Sequence, residues 1–150
     1  MSAPKSPPPK RTDFRAFESI QTRWHDNDVY QHVNNVTYYA FFDTAVNKIL
    51  VDRGVLKIAD SPVVGLVVET QCRYFSPIAF PDLVQVGVCT RHIGSSSVRY
   101  EIGIFRNQDQ QASAVGHFVH VYVDRRSQRP VPIPEPIRQV LMDLYRADSL

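Results

Sequence analysis

One helix-spaced segment precedes four strand-spaced ones, and that order leaves few ways to build a core. Val36, Tyr39, Phe42, Val46, Ile49 and Leu50 recur at helical spacing. Tyr38, Phe41 and Ala45 widen the apolar stripe, so this helix is expected to be largely buried. Asn34 and Asn35 are good N-caps before it, and Arg53-Gly54 is a stop with a basic last turn. The spacing predicts a helix of about five turns from near Val36 to Arg53. After Gly54 the period becomes two. Val64, Leu66 and Val68 alternate with Gly65, Val67 and Glu69. Val84, Val86 and Val88 then oppose Gln85, Gly87 and Cys89, and Val98, Tyr100, Ile102 and Ile104 oppose Arg99, Glu101 and Gly103. A last strand sets Val115, His117, Val119, Val121 and Val123 against Gly116, Phe118, His120 and Tyr122. Ser76-Pro77, Pro81-Asp82, Gly94-Ser95-Ser96 and Asn107-Gln108-Asp109 punctuate the strands as turns. An earlier strand is expected over Phe14 to Trp24, on the β-formers Phe17, Ile20, Thr22 and Trp24. After a Pro-rich connector from Arg125 to Pro136, Ile137, Val140, Leu141, Leu144 and Tyr145 predict a short amphipathic helix.

One long helix and one antiparallel sheet make two layers around one core, an α+β class in which the sheet must wrap the helix. One face of the strands covers the helix. The other still shows Val67, Phe105, Phe118 and Tyr122, and exposed apolar surface of that extent predicts at least a homodimer. A length of 150 residues suits a single domain, expected over residues 14–150, behind a disordered Pro-rich tail at 1–13. That tail has no secretory apolar region, and its prolines forbid an amphipathic transit helix. No apolar run is long enough to span a membrane, so no membrane partner is expected. With 17 basic and 15 acidic residues the charge is too balanced to suggest nucleic acid. Two cysteines, Cys72 and Cys89, make no disulfide framework, which points to a reducing, cytoplasmic setting.

The chemistry concentrates in Arg23-Trp24-His25-Asp26-Asn27-Asp28-Val29-Tyr30-Gln31-His32-Val33-Asn34-Asn35. Two carboxylates, two imidazoles and several amides lie in one connection that ends at a helix N-terminus. The first turn of a helix offers unpaired N–H groups and a positive dipole end, which can polarise a carbonyl or hold an oxyanion. A carboxylate just upstream can attack that carbonyl or activate water against it, so acyl transfer is the reaction these parts fit. Aspartates before helices also serve as plain caps and turns. Asp26 reads as such a structural residue, His25 as solvated, and His32 has a plain alternative as a partner of a loop carbonyl. His117-x-x-His120 puts its rings on opposite faces of a strand, and Asp28 with His32 suits a metal only on a helix, so no metal site is expected. Cys72 with His32 has the makings of a thiol nucleophile pair, but a buried structural thiol is the preferred reading. Arg125, Arg126 and Arg129 form a small basic cluster, either a solvated loop or a phosphate contact.

Trp24-x-Asp26-x-Asp28-x-x-x-His32-Val33-Asn34-Asn35-Val36-x-Tyr38 resembles the 4-hydroxybenzoyl-CoA thioesterase-like branch of the hotdog superfamily. Glu69-Thr70-Gln71-Cys72-Arg73-Tyr74-Phe75-x-Pro77 is a second, weaker landmark, and the resemblance runs from about Phe14 to Asp124. It implies a hotdog fold and metal-free hydrolysis of an acyl-CoA thioester, with no cofactor beyond the CoA of the substrate, in a homodimer or homotetramer. It places the catalytic aspartate on Asp28, an orienting or acid-base histidine on His32, and the polarising N–H near Asn35. A further acidic residue corresponds to Glu69. CoA contacts fall on Arg91, Ser95, Ser96 and Ser97 at the turn between two strands, where a merely solvated turn is the plain alternative. Plant-type acyl-carrier-protein thioesterases have an asparagine two residues before the histidine. Tyr30 stands there instead, so any role of that asparagine is absent. The alternatives are an acyl-carrier-protein thioesterase, a hydratase-dehydratase on the same fold, and a non-enzymatic acyl-CoA-binding protein.

Overall fold

A computed structural model describes residues 6–148 of the chain. Its elements are β1 (Ala16–Gln21), α1 (Thr37–Asp52), β2 (Val63–Tyr74), β3 (Leu83–Ile93), β4 (Ser97–Arg106), β5 (Ala114–Asp124) and α2 (Glu135–Asp143). The strands form one antiparallel sheet in the order β1-β3-β4-β5-β2. β1 and β2 are therefore the two edges, and α1 is the connection between them. A chain that leaves one edge and re-enters at the other must cross a whole face of the sheet, and α1 makes that crossing. Tyr38, Phe41, Phe42, Ala45, Val46, Ile49 and Leu50 of α1 are buried against Val84, Val86 and Val88 of β3 and Val98, Tyr100, Ile102 and Ile104 of β4. This is the expected hotdog architecture, a sheet wrapped around one long helix.

The helix ends as its sequence requires. Gly54 takes φ +74, Gly54 N–H donates to the Val51 carbonyl at 2.9 Å and Val55 N–H to the Leu50 carbonyl at 3.1 Å. This is a Schellman stop, with Val55 packed on the core as its apolar partner. Gly116 meets a different demand. A Cβ there would lie 2.2 Å from the Gln71 carbonyl oxygen and 2.5 Å from the Phe42 ring, so only glycine lets β5 approach β2 and the helix.

Four expectations need correction. Phe105, Phe118 and Tyr122 are buried, not exposed. Phe118 and Tyr122 of β5 face α1, with Phe118 edge-on to Phe42 at 6.4 Å. Phe105 lies on the outer face, under Phe14, in a separate cluster with Cys89 and Ala112. Val67 remains exposed, and with Leu66 and Val68 it gives β2 an apolar open edge. Second, the tail is not disordered up to residue 13. Arg11–Asp13 form a single 3-10 turn, Ala112 N–H donates to the Pro9 carbonyl, and Arg11 Nη2 donates to the Asn107 carbonyl at 2.8 Å. Residues 1–5 of that tail lie outside the described residues. Third, the first strand is shorter than Phe14–Trp24, because Trp24–Asp26 turn into a 3-10 helix capped by Asp26. Fourth, the alternation along β2 breaks at a bulge between Val67 and Glu69, which re-phases the strand so that Cys72 packs on the core and Tyr74 meets Tyr38 on the helix side.

Candidate active site

The connection from β1 to α1 folds into a tight loop at Asp28. Asp28 N–H donates to the His32 carbonyl and Gln31 N–H to the Asp28 carbonyl, both at 2.9 Å. Closing so small a ring forces Gln31 into the left-handed region at φ +68. The carboxylate is then held on both sides. Oδ1 accepts the Tyr30 N–H at 2.9 Å, and Oδ2 accepts Asn34 Nδ2 at 3.2 Å. Asn34 does a second job, since its Oδ1 accepts the Val36 N–H at 2.9 Å in an Asx turn that leads into the helix, whose N-cap is Val36. Asn34 N–H donates to the Asp26 carbonyl and Val33 N–H to the Ile78 carbonyl, anchoring the loop to the body of the protein. Asp26 is buried and paired with Arg23, the structural role expected of it, and His25 is exposed.

Asp28 and Asn34 open into a cleft of about 1090 Å3 whose wall includes Trp24 and Phe80, stacked edge to face at 6.0 Å. Asn27 secures that wall by accepting the Phe80 N–H on Oδ1 at 3.0 Å. His32 and Asn35 line a smaller cavity of about 320 Å3 with Tyr38 and Tyr74. The Tyr74 hydroxyl donates to the Asn35 carbonyl at 3.0 Å. Among the described residues no acceptor pairs with the Asn35 N–H, which stands at the start of α1. One loop thus presents a positioned carboxylate on one cavity and a free helix N-terminal N–H beside the next. His32 is exposed, and its ring makes no hydrogen bond among the described residues.

The remaining candidates are not gathered there. Glu69 is exposed on the sheet face away from α1, where it pairs with His117 Nε2 at 2.8 Å. Arg91 is paired with Glu101 at 3.3 Å and with Asp148. The Ser95 carbonyl accepts the Ile133 N–H, the Ser96 carbonyl accepts the Tyr122 N–H, and Ser97 opens β4. Arg138 of α2 donates to the Gly94 and Ser95 carbonyls, so this turn is braced by the C-terminal helix. Burial pushes the Cys72 thiol up to about 11, and no hydrogen bond joins it to His32, so it stays a protonated thiol in the core. Arg125 donates to the Ser61 and Ile58 carbonyls and serves the loop before β2. His117 and His120 do face opposite ways, and among the described residues no three metal-binding side chains cluster. Two contributors escaped the sequence reading: Asn34 as the partner of Asp28, and the Trp24–Phe80 wall. Trp24 was visible as a strand residue and at the head of the resemblance motif, but its pairing with Phe80 spans too many residues for spacing to reveal.

A hotdog sheet and helix with a carboxylate at the helix mouth define the class, an acyl-thioester-processing fold. The profile of the thioesterase-like superfamily matches residues 22–141, and the chain belongs to that family. It is 52% identical to the PA5185 protein of Pseudomonas aeruginosa strain PAO1, whose crystal structure superposes with a TM-score of 0.91 over 93% of this chain and 97% of that one. A 1,4-dihydroxy-2-naphthoyl-CoA thioesterase from Synechocystis shares the fold at 17% identity, with a TM-score of 0.78 over 85% of this chain and 96% of its own. The YsmA protein of Bacillus subtilis (strain 168) is 22% identical over 88% of each chain.

Proposed function

We propose that the protein hydrolyses acyl-CoA thioesters, with Asp28 as nucleophile or general base. The observation that carries this is the Asp28 carboxylate, fixed by Tyr30 N–H and Asn34 in the loop that ends at the Asn35 N–H, which has no acceptor among the described residues. In the direct route an Asp28 oxygen attacks the thioester carbon and the C–S bond breaks. CoA leaves as thiolate and takes a proton, and water then cleaves the acyl–aspartyl anhydride. In the alternative route Asp28 takes a proton from the water that attacks. Either way, thioester plus water becomes carboxylic acid plus thiol. The Asn35 N–H stabilises the oxyanion in both routes, aided by the dipole of α1. His32 orients the substrate or relays a proton. No cofactor is needed beyond the CoA of the substrate. The working form is a homodimer or homotetramer, for which the apolar open edge of β2 is the natural contact.

The test is thiol release from a panel of short, medium, long and aromatic acyl-CoAs. Wild type is expected to release thiol, and Asp28→Asn to lose about 10²- to 10⁴-fold in kcat with its fold intact. Full activity in Asp28→Asn overturns the mechanism. Tight binding without release, in wild type, turns the reading into an acyl-CoA-binding protein.

A further inference from the structure

Far along α1 from Asp28 lies another cavity, of about 300 Å3. Leu50 of α1, Leu56 and Ile58 of the following loop, and Val64 of β2 form its apolar lining. From Thr37 to Asn47, which also lines it, the helix rises about 15 Å at 1.5 Å per residue. Asn47, His120, Tyr122 and Arg125 bring polar groups to the rest of its wall. His120 of β5 lines the cavity and is only 3% exposed, yet among the described residues neither of its ring nitrogens has a hydrogen-bond partner. The rings of Phe118 and Tyr100 pack against the imidazole at centroid distances of 4.7 and 5.5 Å, so its neighbours offer it faces and edges instead of acceptors. A buried polar group left unmatched is costly and rare in native interiors. Among the described residues the one cation at the rim, Arg125, is already committed to the Ser61 and Ile58 carbonyls.

We propose that this cavity binds a neutral, mostly apolar molecule carrying one hydroxyl, and that His120 is the residue that reads the hydroxyl. A neutral imidazole presents one donor and one acceptor, and a hydroxyl answers both kinds from a single atom. An ammonium can only donate. A carboxylate would be stripped of water against apolar walls with no uncommitted cation to receive it. Burial pulls His120 down to about 4, which keeps the ring neutral at neutral pH. The volume suits one aromatic ring or a short hydroxylated chain. The inference does not rest on thioester hydrolysis, since it uses neither Asp28 nor the helix N-terminus.

The experiment is a titration of the full chain, labelled with 15N-histidine, with p-cresol and with toluene. A saturable shift of the His120 ring nitrogens is expected, with p-cresol bound about ten-fold more tightly than toluene. His120→Phe, which identifies the resonances by their loss, is expected to bind the two probes equally when followed through the pocket methyl groups. No saturable shift at His120, or equal affinities in wild type, overturns the proposal, and that wild-type result stands even if the variant fails to fold. A free phenol or alcohol and the hydroxylated end of an acyl group offer the same chemistry. Competition in Asp28→Asn with 16-hydroxyhexadecanoyl-CoA, whose acyl chain is long enough to run from the helix start to this cavity, separates them. Displacement of p-cresol by the ester and not by CoA assigns the acyl end, and no displacement assigns a free molecule; both outcomes keep the site. Failure of the cavity to bind leaves thiol release from acyl-CoA unaffected, so the two readings fail separately.

Discussion

Asn34 is the residue on which local structure and chemistry meet. Its Oδ1 accepts the Val36 N–H and its Nδ2 donates to Asp28 Oδ2, so one amide turns the chain into the helix and aims the carboxylate. Asn34→Ala removes both. Loss of the Asx-turn hydrogen bond is expected to cost about 1 kcal/mol in a urea titration. On the proposed mechanism, loss of the donor is expected to lower kcat on a thioester substrate about ten-fold with little change in KM, because the carboxylate's aim would matter in the transition state. Asn34→Asp separates the two effects. It keeps an acceptor for Val36 N–H but sets a like charge beside Asp28, so stability is expected to recover while kcat stays low. Wild-type turnover in Asn34→Asp would show that Asp28 needs no such partner. The sequence marked Asn34 and Asn35 as caps, whereas the N-cap is Val36 and Asn34 instead turns the chain into the helix through its side chain. The sequence was silent on the contact from Asn34 back to Asp28, which exists only once the loop closes with Gln31 left-handed.

The ends and edges of the elements show how far periodicity can be read. The helix was legible almost to the residue, since Gly54 is both an end signal and the only residue type at ease at φ +74 there. Gly54→Ala is expected to destabilise by about 1 kcal/mol by thermal or chemical unfolding, with the cost purely in the backbone because an added Cβ meets nothing within 4 Å. A substitution without effect would mean that the Schellman stop contributes nothing. Strands were harder to place than the helix. Their periods held except on β2, but on β5 both alternate sets are apolar, Val115, Val119 and Val121 against Phe118 and Tyr122. Alternation cannot tell the face under the helix from the outer face when both look alike. The choice is made by bulk. Phe118, His120 and Tyr122 fill the space beside α1, and the smaller valines are left on the other side. On β2 the bulge after Val67 breaks the phase, and no residue type announces a bulge there.

At the scale of the whole molecule, the sheet buries His120 beside its main core, and this ties stability to pH. The imidazole faces Tyr100 of β4, Phe118 and Tyr122 of β5 and, across the cavity, Asn47 of α1, with Arg125 at the rim. None of these is an anion that would welcome an imidazolium. Burial therefore lowers its pKa from 6.5 to about 4. Above about pH 6.5 the ring is neutral in folded and unfolded chains alike, and its titration affects stability little. As the pH falls from 6.5 toward 4, the unfolded chain takes up the proton and the folded one does not, so stability is lost across that window. Below the folded pKa both states are protonated and the loss levels off, at an upper bound of about 3 kcal/mol. Chemical denaturation at pH 7 and at pH 4.5 measures it. Wild type is expected to lose roughly 2 kcal/mol more than His120→Gln between those two conditions, because the amide does not titrate while other groups do so equally in both proteins. Comparing each protein with itself removes whatever the substitution costs in packing. Equal losses in the two proteins would mean that the imidazole titrates as if exposed, and that the cavity beside it is wet and open.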